Sequence, residues 1–105
     1  MARIDYRKLK MLVSMNDVVN VLQWKPVCAL GGQERGKCPV HRSTNQRSRS
    51  FSVDRRGNRF QCFTCKAKGN QLDLFVQATG LKLYDAAVEL CRRLRMDVPY
   101  LETPE

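Results

Sequence analysis

The chain has 105 residues, 43% of them hydrophobic, and a formal net charge of +9. That length allows one domain, or a small core with a tail, and a domain this small buries only about 65% of the surface its unfolded chain exposes. The hydrophobic share excludes disorder throughout, no apolar run approaches the ~18 residues of a membrane span, and the charged opening MARIDYRKLK leads into no secretory apolar region, so the expected location is the cytoplasm, with no membrane partner.

In YRKLKMLVSMNDVVNVLQW, Leu9, Leu12 and Val13, then Val18, Val19 and Leu22, recur at helical spacing. Ser14 or Asn16 is positioned to cap the second of two short helices. Trp24–Leu30 reads as extended and is interrupted by Pro26; LGGQERGK reads as a turn. In SFSV, Phe51 and Val53 alternate onto one face, DRRGN reverses the chain, and RFQC returns with Phe60 and Cys62 together, so a hairpin is predicted. A helix follows Gly69-Asn70, with Leu72, Phe75 and Val76 as its apolar stripe and Gly80 as its stop. A last helix covers about Tyr84–Arg95. MDVPYLETPE, with two prolines, is read as largely tail, giving a domain over residues 1–98 and a C-terminal tail over 99–105.

Five cysteines in this chain need an explanation. An odd count with no secretory leader argues against a disulfide framework. The pattern is Cys38-x-x-His41, twenty residues, then Cys62-x-x-Cys65. Two intervening residues let both side chains of a tight turn reach one ion, and Cys3His is a closed tetrahedral zinc set. All four positions are then filled, so the expected zinc is single and structural, with no place for a catalytic water. A redox C-x-x-C pair would need a thioredoxin-like context, which is absent. Cys91 shares a helical stripe with Ala87 and Leu94 and reads as a small buried hydrophobe. Cys28 has no partner at knuckle spacing and reads as packed on a strand.

The charge is not evenly spread. Arg35–Lys68 holds ten basic residues and one acid, Asp54, which leaves nine of each sign in the rest of the chain. The surplus is interleaved with Phe51, Phe60 and Phe63. Each phenylalanine alone fits core packing as well, but together with the cations they suit a strand of phosphates with bases to stack. Residues 42–50, RSTNQRSRS, contain nothing to bury. A metal pinning both ends of that loop supplies what a core would not, since structural zinc contributes roughly 10–16 kcal/mol of apparent binding energy in small zinc-dependent peptides.

Taken in order, CPVH (38–41), SFSV (50–53), FQCFTC (60–65), Gly69-Asn70, FVQATGLKLYDAAVELCRRL and MDVPYLE resemble the N-terminal zinc-binding domain of DnaG-type bacterial DNA primase, over roughly residues 4–102. The resemblance implies a small α+β fold: a zinc ribbon whose short antiparallel sheet is flanked by N- and C-terminal helices. It implies zinc ligands Cys38, His41, Cys62 and Cys65. It also implies binding of single-stranded template and a part in choosing the primer start site, beside a polymerase domain that carries the catalytic acids and magnesium. The family's basic and aromatic sheet surface maps onto Arg59, Phe60, Phe63, Lys66 and Lys68. Arg47, Arg49, Arg55 and Arg56 belong to this chain's own longer loop and hairpin. Arg47-Ser48-Arg49 stands where the family tends to have Thr-Pro, and Lys66 replaces a glycine, so both changes add positive charge. These residues contain no acidic cluster for catalytic magnesium, and His41, the one histidine, is spent on zinc, so no catalysis by this chain alone is expected. The expected activity is zinc-dependent binding of single-stranded DNA, with RNA also accommodated by a basic groove. The alternative is an adaptor that docks, through the helices at 5–22 and 84–95, on a polymerase or primase domain, a helicase or a mobile-element enzyme.

Overall fold

The N-terminal apolar spacing folds as two helices, α1 (Tyr6–Leu12) and α2 (Met15–Val21), in a computed structural model that describes residues 3–42 and 47–101. The Asp5 side chain accepts from the Lys8 backbone N–H at 3.0 Å and caps α1. Ser14, rather than Asn16, caps α2. Its hydroxyl accepts from the Asp17 N–H, and its own N–H donates to the Asp17 carboxylate, which satisfies two orphan helix-end donors reciprocally.

Five short strands then form one antiparallel meander in sequence order: β1 (Cys28–Leu30), β2 (Gln33–Gly36), β3 (Phe51–Asp54), β4 (Arg59–Cys62) and β5 (Lys68–Asn70). The β3–β4 hairpin is the predicted one, with Phe51 opposite Cys62 and Val53 opposite Phe60. Two strands depart from the sequence reading. Only Gly31 and Gly32, both at positive φ, make the turn in LGGQERGK, and Gln33–Gly36 is a strand paired on both sides. Lys68–Asn70 pairs with β4 through Gln61 and Lys68. Neither segment carries an apolar alternation, so pairing with a neighbour, not its own pattern, makes it a strand.

The register sorts the sheet into two faces, because successive side chains point to opposite sides. Phe51, Val53, Phe60 and Cys62 share the packed face and are buried. The other face carries a row of cross-strand partners, Cys28, Arg35, Ser52, Gln61 and Lys68, one from each strand.

The packed face meets α1, α2, α3 (Gln71–Thr79) and α4 (Leu83–Arg93) around a core that includes Leu9, Met15, Phe51, Leu74, Phe75 and Leu90. Trp24 packs edge-on to Phe51 at 5.4 Å and donates its indole N–H to the Lys37 carbonyl at 2.6 Å. Asn70 and Asp73 form a second capping box at the start of α3, and Gly80, at φ 73°, ends it. Gly69 is required here: at φ 151°, a Cβ would lie 2.5 Å from the Asp73 carboxylate oxygen that closes the box. Cys91 is buried on α4, and Cys28 is half-buried on β1.

The segment after α4 pairs with the residues that precede α1. Asp5 N–H donates to the Pro99 carbonyl and Leu101 N–H to the Arg3 carbonyl, both at 2.7 Å, around a bridge between Ile4 and Tyr100. An extended segment of this kind is held by its partner strand, which its composition does not announce. Among the described residues, no helix is long and apolar enough to cross a membrane.

Candidate metal centre and nucleic-acid face

Cys38 and His41 lie just past β2, Cys62 ends β4, and Cys65 sits in the turn before β5. The antiparallel register of β2, β3 and β4 brings these ends together, and the four donor atoms lie within 4.8 Å of one another. Cys38 Sγ is 3.9 Å from Cys65 Sγ, and Cys62 Sγ is 3.6 Å from His41 Nδ1. A tetrahedral zinc with bonds of about 2.3 Å to sulfur and about 2.0 Å to nitrogen requires S–S and S–N edges of about 3.8 Å and about 3.5 Å. The donor set therefore fits one structural zinc, closed by protein on all four sides.

Backbone geometry supports the thiolates. The Val40 N–H donates to Cys38 Sγ at 3.3 Å, and the Cys65 N–H to Cys62 Sγ at 3.4 Å. The residue after each knuckle, Arg42 and Lys66, is left-handed, with φ of 51° and 67°. Burial pushes the Cys38 thiol up to about 12. Burial also opposes ionisation of Cys62, but the N–H groups of Cys65 and Thr64 and the Cys65 and Cys38 side chains outweigh it and bring Cys62 down to about 6. A divalent cation stabilises both as thiolates and releases their protons. Cys38 and Cys62 are buried in the core cluster, whereas His41 and Cys65 are exposed, so the centre lies at the boundary of core and solvent.

The predicted nucleic-acid residues divide by location. Arg59, Phe63 and Lys68 line a depression of about 760 Å³ on the unpacked sheet face, together with Gln33 and Gln61. Lys66 is exposed beside it and donates its Nζ to the Phe63 carbonyl at 3.0 Å. Arg56 is exposed at the hairpin tip; Arg47 and Arg49 are exposed on the segment entering β3, and residues 43–46 of that loop lie outside the described residues.

Two of the predicted contacts are turned toward the protein. Phe60 is 3% exposed and packs against Phe51 at 5.7 Å, so its ring belongs to the core and offers no stacking surface. It alternates with Cys62 and so follows that ligand inward. Arg55 is half-buried and committed to protein: it pairs with Glu34 of β2 and donates Nη1 to Asn16 of α2 at 2.7 Å.

Arg35 was not among the predicted contacts. Its guanidinium carbon lies 4.7 Å from the centroid of the Phe63 ring. The alternation of Gln33 and Arg35 onto one face would have found both, had QERG been read as a strand.

The family model for the CHC2 zinc finger matches residues 4–105. The DNA primase of Haemophilus influenzae is 26% identical over 90 residues, 85% of this chain and 15% of its own length. Those of Rickettsia bellii and Synechocystis are 29% and 30% identical over 91% and 82% of this chain. The chain thus spans about 15% of the length of the curated relatives it matches. The crystal structure of the Aquifex aeolicus primase zinc-binding and RNA polymerase domains superposes with a TM-score of 0.69 at 23% identity, over 93% of this chain and 23% of that one, which establishes a common fold.

Proposed function

This chain belongs to the CHC2 zinc-finger family, the zinc-binding part of DnaG-type primases, and from that membership we propose that it binds single-stranded DNA on the unpacked face of its sheet and presents it to a larger partner. One observation carries the reading. The strand register gathers Arg59 and Lys68 with the exposed Phe63 along one depression, on the face opposite the buried one. The acid there, Asp54, is turned to the Gly57 N–H at 3.0 Å. Cations aligned on a flat surface take phosphates and release counterions. An aromatic ring gains from an unpaired base and gains nothing from a duplex, whose bases are already stacked. Arg47, Arg49, Arg56 and Lys66 extend the positive field around this track, and RNA fits the same chemistry.

In this reading the chain supplies no catalysis of its own. It works in the cytoplasm beside a polymerase or primase domain, a helicase or a mobile-element enzyme that uses the strand it holds. The test is a fluorescence-anisotropy titration of the zinc-loaded protein with a single-stranded oligonucleotide, its duplex and the matching RNA over a salt series. About four phosphate contacts give a log–log slope of about −3 for a single strand. A flat salt response, or duplex bound as tightly as single strand, overturns the reading.

An adaptor role is favoured by a separate observation. Leu81, Leu83, Tyr84, Tyr100 and Leu101 are exposed around the start of α4 and the segment after it. If a partner docks there, Leu83→Ser with Tyr84→Ser removes stimulation of an added primase catalytic domain and leaves DNA binding unchanged. Loss of neither removes the adaptor role.

A further inference from the structure

We propose that Phe63 and Arg35 form a preassembled platform for one unpaired nucleobase, with Phe63 as the stacking surface and Arg35 as the residue that positions it; this rests on the single-strand reading above. Phe63 follows the ligand Cys62 directly, and its backbone is fixed from both sides. Its N–H donates to the Ser50 carbonyl at 2.8 Å, and its carbonyl accepts from Lys66 Nζ at 3.0 Å. The ring is nevertheless 45% exposed and lines the depression. The ring is not among the core residues, and a ligand with an apolar face would cover the part of it left in water.

Arg35 explains how the ring is held. Its guanidinium lies over the ring at 4.7 Å, and its Nε is buried with no acceptor among the described residues. The neighbouring acids are engaged elsewhere: Glu34 lies on the other sheet face with Arg55, and Asp54 accepts from Gly57. The ring itself is therefore the partner that keeps the cation in place. Phe63 lines the depression and Arg35 does not, so the cation holds the ring without taking a place among the lining residues. A nucleobase is a flat π system of matching size, and its sugar-phosphate links would run past Lys66 and Lys68. Because every base has such a face, the platform distinguishes base-bearing from base-free backbone and not one sequence from another.

The experiment compares binding of oligothymidylate with an all-abasic strand of equal length, with zinc content and thermal midpoint as folding controls. The wild-type protein prefers the base-bearing strand by about tenfold. Phe63→Ala removes that preference and keeps the salt slope, and Phe63→Trp restores it. Arg35→Lys, which keeps the charge and loses the planar stack, reduces the preference and has no further effect when added to Phe63→Ala. Should Phe63→Ala lose zinc, Phe63→Leu, which keeps the apolar bulk without the π face, takes its place. Undiminished preference in either single variant overturns this proposal and leaves the single-strand reading standing. Failure of the wild type to bind either strand overturns both.

Discussion

Arg55 and Arg59 stand four positions apart in one basic hairpin, and the structure gives them opposite work. Arg55 ties β2 and α2 to the sheet through Glu34 and Asn16, while Arg59 is exposed along the depression. Arg55→Glu sets a carboxylate against Glu34 and should lower stability by about 1–2 kcal/mol. Arg59→Glu should leave the melting temperature within error and weaken single-strand binding several-fold. Thermal melts and anisotropy titrations on the two variants check both. Lys66 makes the reverse case. It holds the left-handed turn after Cys65 in place of a glycine, at a cost of roughly 1–2 kcal/mol for a residue with a Cβ. Lys66→Gly should therefore raise stability by about 1 kcal/mol in chemical denaturation and weaken DNA binding. The zinc ligands were legible from spacing alone because metal geometry fixes both residue type and interval. The arginines were not, since nothing in an Arg-rich run says which guanidinium meets a carboxylate contributed by a distant strand.

At the level of elements, the β3–β4 hairpin and the starts of α2 and α3 were legible because each carries its own local signal: alternation, a turn between, a capping residue. β2 and β5 were not, because their residues are polar and their strand character comes from neighbours. The same contrast sets the energetic weight of the caps. Asn70 both ends β5 and accepts from the Asp73 N–H at 2.8 Å, so one side chain joins the sheet edge to α3. Asn70→Ala should cost about 1 kcal/mol in chemical denaturation. A change near zero would mean that packing of Leu74 and Phe75, not the cap, positions α3.

Across the whole molecule, the zinc shares its stabilising role with a genuine hydrophobic core, where composition had suggested that the metal stands in for one. Cys38 and Cys62 join the same buried cluster as Phe51 and Val53, while Leu9, Met15, Leu74 and Leu90 knit the helices away from the ligands. Chelation should accordingly lower the melting temperature and abolish DNA binding, because the ends of β2 and β4 lose their anchor, yet leave most of the helical circular dichroism in place. Complete loss of that signal would show that the ion holds the entire fold. A further consequence follows from the pairing of residues 3–5 with 99–101. Entry and exit of the domain are stitched side by side, so a short peptide bridge could close the chain into a ring, and a cut between Gly31 and Gly32 could open it again as a circular permutant. Whatever is joined ahead of residue 3 and whatever is joined behind residue 101 would swing from one common anchorage.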